Sequence, residues 1–120
     1  MDYCYKIKSK TKSGGQDWIS NETYNTSNNM FSVHKDKKFK KLHKWILECV
    51  DDYIEVTKLD LVLRLEDTES WFNIYKTGDF QELHHHHAFA ISAVYFLKSN
   101  PDYSPLIFRP TFYDQLAIGR

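Results

Sequence analysis

The apolar residues of this chain change their spacing near residue 58, and that change limits the folds that the chain can adopt. Residues 36–56 carry apolar side chains at steps of three and four residues, which predicts one amphipathic helix. This stripe consists of Phe39, Leu42, Ile46, Cys49, Val50 and Tyr53. Cys49 is expected to be a small buried residue within it. Because the stripe covers one face only, the helix must pack against another layer of structure.

Beyond residue 58 the spacing becomes two, which is typical of strands. Leucines occupy alternate positions of residues 59–65, and further strand-like stretches follow at 70–76, 79–87, 89–97, 106–108 and 111–118. Residues 3–8 favour another short strand, and the polar residues 9–30 favour a loop. We therefore predict one α+β domain of residues 1–120, in which helix 36–56 packs on an antiparallel sheet formed by residues 59–118.

Composition excludes some functions. The formal net charge is zero, with 16 basic and 16 acidic residues, which argues against general electrostatic binding to nucleic acid. The sequence contains no apolar run near the roughly 20 residues needed to span a bilayer, and it begins without the apolar segment of a secretory signal. We expect a cytoplasmic protein with no membrane partner, in which Cys4 and Cys49 are free thiols.

The stretch "QELHHHHAF", residues 81–89, holds four consecutive histidines. On a strand His84 and His86 would lie on one face, and His85 and His87 on the other. Two imidazoles at this spacing can bind one divalent metal, but catalytic sites normally have three protein ligands and an open position. From these residues alone, an exposed strand end without a site is the simpler interpretation.

The surrounding residues extend this pattern. The stretch "SWFNIYKTGDFQELHHHHAFAISAVYFL", residues 70–97, resembles the iron(II)/2-oxoglutarate-dependent oxygenases. It is most similar to a small branch found in phages and marine bacteria, which is distantly similar to prolyl 4-hydroxylases. The matching positions are Ser70, Trp71, Asn73, Gly78, Asp79, Gln81, His84, His86, Ile91, Ser92, Val94, Tyr95 and Leu97. With the later "SPLIFRP", the resemblance covers roughly residues 59–110.

The resemblance implies a fold, a chemistry and a site. The fold is a double-stranded β-helix, or jelly roll, of which residues 59–118 would form a part. The chemistry is hydroxylation of a substrate that the sequence does not identify, with Fe(II) and the small-molecule cosubstrate 2-oxoglutarate. His84 and His86 would be the first two metal ligands. The cosubstrate pocket would be lined by Tyr75, Ser92, Val94 and Phe96.

The sequence also departs from the family pattern. Members carry a third histidine ligand and an arginine after further strands, whereas no histidine follows His87 here. Phe96 stands where the branch has a tyrosine. The resemblance therefore predicts a C-terminally short member of the family that binds metal weakly and shows no detectable turnover of 2-oxoglutarate. If the chain is encoded by a phage, the expected location is the cytoplasm of the host cell. The alternative is a non-catalytic binding or structural module that forms a homodimer through open strand edges.

Overall fold

The computed structural model describes residues 1–14, 23–27, 29, 31–59, 69–86, 89–100, 102 and 106–108. Its elements are α1 (Asp2–Lys8), β1 (Tyr24–Asn25), a 3-10 helix (Val33–Lys35), α2 (Lys40–Thr57) and β2 (Asn73–Ile74). β1 and β2 form an antiparallel pair, with Tyr24 opposite Ile74 and Asn25 opposite Asn73. The described part of the chain is therefore α+β, as predicted, with a sheet of two strands.

Within the described residues, the core is small and largely aromatic. Its buried side chains are Cys4, Ile7, Tyr24, Phe39 and Phe72. The ring centre of Phe72 lies 5.9 Å from that of Tyr24 and 6.4 Å from that of Phe39, within the range of favourable aromatic pairs. The core thus joins α1, the start of α2 and the segment that enters β2.

The first element corrects the sequence analysis. Residues 3–8, predicted as a strand, lie within helix α1. Cys4 and Ile7 are three residues apart, so in a helix both side chains reach the core, and both are buried. Asp2 in the first turn and Lys6 and Lys8 in the last turn complement the helix dipole. In a segment this short, packing of two side chains outweighs the strand preference of the tyrosines.

The long helix, predicted at residues 36–56, is observed as α2, which begins four residues later than predicted. Residues 36–39 instead form a turn, in which an Asp36 carboxylate oxygen accepts the Lys38 amide hydrogen at 2.7 Å. The Phe39 amide donates to the Asp36 carbonyl oxygen at 3.1 Å. An aspartate that bonds its own neighbouring amides favours a turn over a helix interior, which explains the later start.

Cys49 also differs from the prediction, because its side chain is exposed. The half-buried apolar residues of α2 are Leu42, Ile46, Val50 and Ile54, spaced by four residues. The predicted stripe was wider than the face that the fold covers. Cys49 lies outside this covered face, together with the exposed Tyr53.

Most of the predicted strands lack strand structure or lie outside the described residues. The stretch 70–76 contains β2, whereas the described residues of 79–86, 89–97 and 106–108 form no strand. The predicted strand at 111–118 and nearly all of that at 59–65 lie outside the described residues. β1 lies inside the polar stretch 9–30 that was predicted as a loop. The observed sheet does not establish a jelly roll, which stays a prediction.

Thr26 and Gly14 hold β1 against its neighbours. Thr26 is 2% exposed; its amide donates to the Phe72 carbonyl at 3.1 Å, and its hydroxyl oxygen accepts the Phe72 amide hydrogen at 3.0 Å. The Gly14 amide donates to the Asn25 carbonyl at 2.9 Å. A Cβ atom at Gly14 would lie 1.5 Å from the Ser27 carbonyl oxygen, so this close approach requires glycine. These contacts fix Phe72, and with it the residues that precede the candidate site.

Candidate functional site

The structure brings His84 and His86 together. Their ring centres lie 5.0 Å apart with an interplanar angle of 79°, on an exposed segment without strand structure. Two imidazoles that bind one metal through nitrogens about 2.0–2.1 Å away have ring centres roughly 5 to 6.5 Å apart. The pair is therefore close enough to share a metal ion, although an irregular backbone rather than a strand places it.

One hydrogen bond indicates which nitrogen of the first histidine carries a hydrogen. The Nδ1 atom of His84 lies 2.8 Å from the Glu82 carbonyl oxygen. A carbonyl oxygen accepts only, so Nδ1 carries the hydrogen and Nε2 of the neutral ring holds the lone pair. Metal-binding histidines are commonly oriented in this way by a backbone carbonyl. The donor set of two imidazoles suits Fe(II) or another first-row transition metal.

Aromatic side chains surround the second histidine. The ring centre of His86 lies 6.1 Å from that of Trp71 and 6.2 Å from that of Phe89. Trp71 is half-buried and directly precedes the core residue Phe72. The position of His86 is therefore linked, through Trp71, to the part of the fold with the most burial.

Among the residues that the structure describes, no third ligand lies beside this pair. Within the described residues, no group of three or more His, Cys, Asp or Glu side chains could hold a metal ion. His34 and His43 instead face each other in a separate pair, with ring centres 5.9 Å apart. His87, next in the run, lies outside the described residues.

Tyr75, predicted to line the cosubstrate pocket, belongs to a short hydrogen-bonded chain. Its hydroxyl donates to Oε1 of Gln81 at 3.1 Å and accepts from Nδ2 of Asn73 at 3.2 Å. Partial burial raises the pKa of the Tyr75 hydroxyl above its usual value, and the Asp79 carboxylate adds to this effect. The Asn73 hydrogen bond opposes the rise in the Tyr75 pKa. The hydroxyl is consequently a neutral hydrogen-bond donor at physiological pH.

The other predicted pocket residues lie on the irregular segment 89–97. Ser92 is exposed, and Val94 and Phe96 are 65% and 57% exposed. The segment meets α2 through Tyr95, whose ring centre lies 5.6 Å from that of Trp45. Since these residues are not in a strand, the alternation that would place Ser92, Val94 and Phe96 on one face does not apply in this structure.

Two residues of the family-like pattern form a tight turn. The Asp79 amide donates to the Lys76 carbonyl at 3.0 Å, and an Asp79 carboxylate oxygen accepts the Lys76 amide hydrogen at 2.8 Å. Gly78, at the third position, has a φ of 91°, a conformation that favours glycine. Gly78 and Asp79 thus have a local structural role, which turns the chain between Tyr75 and the histidines.

The sequence analysis missed a contact between Ser70 and His34. The Ser70 hydroxyl oxygen accepts the His34 amide hydrogen at 2.7 Å and lies 2.6 Å from His34 Nδ1. A further hydroxyl, that of Ser32, lies 3.2 Å from the same ring nitrogen. The partners are 36 residues apart, so no local pattern in the sequence could have indicated the contact. It fixes the start of the family-like stretch to the 3-10 helix.

Comparison with other proteins adds no relative. No family model matches this chain. No curated protein and no solved structure matches it either. In the described ranges, no helix is long and apolar enough to cross a membrane. The resemblance to the oxygenases therefore rests on the residue pattern within 59–110 and on the position of the two histidines.

Proposed function

We propose that His84 and His86 bind Fe(II) as part of the metal site of a 2-oxoglutarate-dependent dioxygenase. The observation that carries this proposal is the 5.0 Å separation of the two rings. The hydrogen bond from His84 Nδ1 to the Glu82 carbonyl supports it, because it leaves the Nε2 lone pair as the ligand. Both histidines also match the ligand positions of the oxygenase pattern.

With Fe(II) and 2-oxoglutarate bound, such a site would use molecular oxygen to hydroxylate a substrate. In this chain the protonated Tyr75 hydroxyl is suited to donate a hydrogen bond to a cosubstrate carboxylate. It now donates to Gln81, an exposed partner that a carboxylate can replace. Phe96 has no hydroxyl, and a hydrogen bond to a charged group is worth about 1.5–3 kcal/mol. The affinity for 2-oxoglutarate is therefore expected to be low.

The ligand number sets the expected strength of the metal site. The described residues supply two imidazoles, whereas a catalytic site of this class has three protein ligands. Activity additionally requires a cationic group for the far carboxylate of 2-oxoglutarate. We expect the chain by itself to bind metal weakly and to show no turnover until a third ligand and an arginine are supplied.

Metal binding can be measured with Mn(II), an Fe(II) surrogate whose free ion is seen by electron paramagnetic resonance. His84→Ala and His86→Ala should each weaken Mn(II) binding by at least about tenfold, since each removes a direct ligand. His85→Ala is the matched control, because it removes an imidazole from the position between the two ligands and should leave the affinity unchanged. Equal loss in all three variants would contradict the assignment of the pair.

Turnover tests the enzyme part of the proposal separately. The assay measures succinate formed from 2-oxoglutarate in the presence of Fe(II), ascorbate and oxygen. We expect none above background. Succinate formation that depends on iron and disappears in His84→Ala would refute the expected inactivity and establish the dioxygenase.

A further inference from the structure

Helix α2 (Lys40–Thr57) divides its charges between its two halves. Three lysines lie in its first turns and four acids follow from the middle of the helix onward, and all seven are exposed; they are Lys40, Lys41 and Lys44, then Glu48, Asp51, Asp52 and Glu55. This order opposes the helix dipole, which favours acids near the start and bases near the end. One ion pair, Lys44 to Glu48 at 3.7 Å, joins the halves where they meet. Apart from this one pair, the order of the charges is unfavourable for an isolated α2.

The same helix exposes an apolar strip. Trp45, Tyr53 and Val56 are 49%, 55% and 82% exposed, and the exposed Cys49 lies between them. Steps of four, four and three residues place the four side chains on one side of a helix. This side differs from the half-buried row that contains Ile46, Val50 and Ile54. Beside the half-buried row, α2 thus has a second apolar side that the described residues leave largely open, except where the Tyr95 ring contacts Trp45; we call this second side the open face.

We infer that this open face binds α2 of a second copy of the chain, with the two helices antiparallel. A two-fold axis near Cys49, the middle of the helix, sets Lys41 and Lys44 of each copy near Asp52 and Glu55 of the other. A parallel arrangement would instead bring like charges together. The apolar strips of the two copies would meet along the roughly 27 Å of an 18-residue helix, flanked by these charges. The contact is a self-complementary interface of the kind that forms symmetric dimers.

The charge order selects a second copy as the occupant. Reversing the direction of this helix exchanges its basic and acidic halves, so its own copy presents the complementary pattern. Such complementarity contributes mainly to specificity and orientation, while burial of the aromatic and aliphatic strip contributes affinity. The inference is independent of the metal site and would hold whether or not the proposed function is correct.

Two double variants test the inference by charge reversal. Lys41→Glu with Lys44→Glu makes the exposed side of α2 largely acidic, and Asp52→Lys with Glu55→Lys makes it largely basic. Each change also improves the match to the helix dipole, so it should strengthen the isolated helix. Lys44→Glu also removes the ion pair with Glu48, so far-ultraviolet circular dichroism must show that the helix is retained before loss of association is assigned to the interface.

Sedimentation equilibrium of the full chain at low salt gives the association constants. We expect a wild-type dimer whose dissociation constant lies in the micromolar range. Each double variant should weaken it on the order of tenfold or more, because the charge pairs change from attraction to repulsion. An equimolar mixture of the two variants should restore a heterodimer. A wild-type chain that stays monomeric, or a dimer that neither variant affects, would overturn the inference.

Cys49 provides a second readout of the same surface. Because it lies near the proposed axis, mild oxidation should link two wild-type chains through a Cys49 disulfide, whereas Cys49→Ser should not link. The buried Cys4 remains in both proteins as an internal control. Linking should slow in either charge variant and recover in their mixture. A linking rate that is the same in all of these samples would indicate random collision and contradict the interface.

Discussion

Thr26→Val should destabilise the fold through a single buried hydrogen bond. Valine has nearly the shape of threonine, so the packing around residue 26 is kept. Thr26 is 2% exposed, and its hydroxyl oxygen is the acceptor for the Phe72 amide hydrogen at 3.0 Å. With valine this amide, in the centre of the core, loses its acceptor.

The magnitude follows from the kind of group that is left unpaired. A buried donor without an acceptor costs about 1–3 kcal/mol. Thr26→Ser keeps the oxygen and removes one methyl group, which costs about 1 kcal/mol for a buried position. We therefore expect the valine variant to be less stable than the serine variant, although serine is the smaller side chain.

Urea unfolding followed by circular dichroism measures both changes. At a slope of about 2 kcal/mol/M, the loss expected for Thr26→Val lowers the midpoint by roughly 0.5–1.5 M. Thr57→Val is the matched control. Its hydroxyl donates to the Tyr53 carbonyl at 2.6 Å but is exposed, so water replaces it and the change should stay within about 0.5 kcal/mol. If Thr26→Val equals Thr57→Val, or if Thr26→Ser is the less stable variant, the reasoning is refuted.

Two further predictions concern a glycine contact and a buried thiol. Gly14→Ala should destabilise the fold by more than about 2 kcal/mol, because the added methyl group would clash with the Ser27 carbonyl. Gly78→Ala should cost only about 1 kcal/mol, because its methyl group meets no atom within 4 Å and only the positive φ is unfavourable. Urea midpoints of the two variants decide this order, and equal losses would contradict it. Burial raises the pKa of Cys4 above its ordinary value of 9.0, although the amino terminus opposes the rise in this pKa. As the pH rises, the thiol therefore ionises in the unfolded chain before it ionises in the folded one. The stability that the buried neutral Cys4 thiol contributes is complete below about pH 9 and is lost as the pH rises through the folded pKa. Cys4→Ala should show a smaller alkaline decline in urea midpoint than wild type, and an unchanged decline would refute the role of Cys4.

The helices show what periodicity can predict and where it fails. α2 carries its apolar residues over five turns, and this signal predicted its body correctly. α1 has only seven residues, in which tyrosines favour a strand while Cys4 and Ile7 have helical spacing. Such a short segment does not specify its own conformation, because its hydrogen bonds alone cannot offset the cost of nucleation. Contact with Phe39 and Phe72 in the core stabilises the helix over the strand.

The strand predictions at 79–87 and 89–97 failed, within the described residues, for a related reason. Alternation of side chains in 79–87 and 89–97 matched a sheet, but a strand forms only where a partner supplies backbone hydrogen bonds. The pairing that does form joins residues 24–25 to 73–74, about 50 positions apart. The polar residues 9–30 contained no alternating pattern that indicated β1. Only the folded structure identifies β2 as the partner of β1.

By itself the sequence determined the α+β class, the presence of one long helix and the adjacency of His84 and His86 as candidate ligands. These features depend on local spacing, which a chain carries before it folds. Tertiary structure alone decided that α1 is a helix, that β1 pairs with β2, that Ser70 meets His34 and that Cys49 is exposed. Each of these depends on contacts between distant residues, and such contacts form where burial and hydrogen bonding together outweigh local preference.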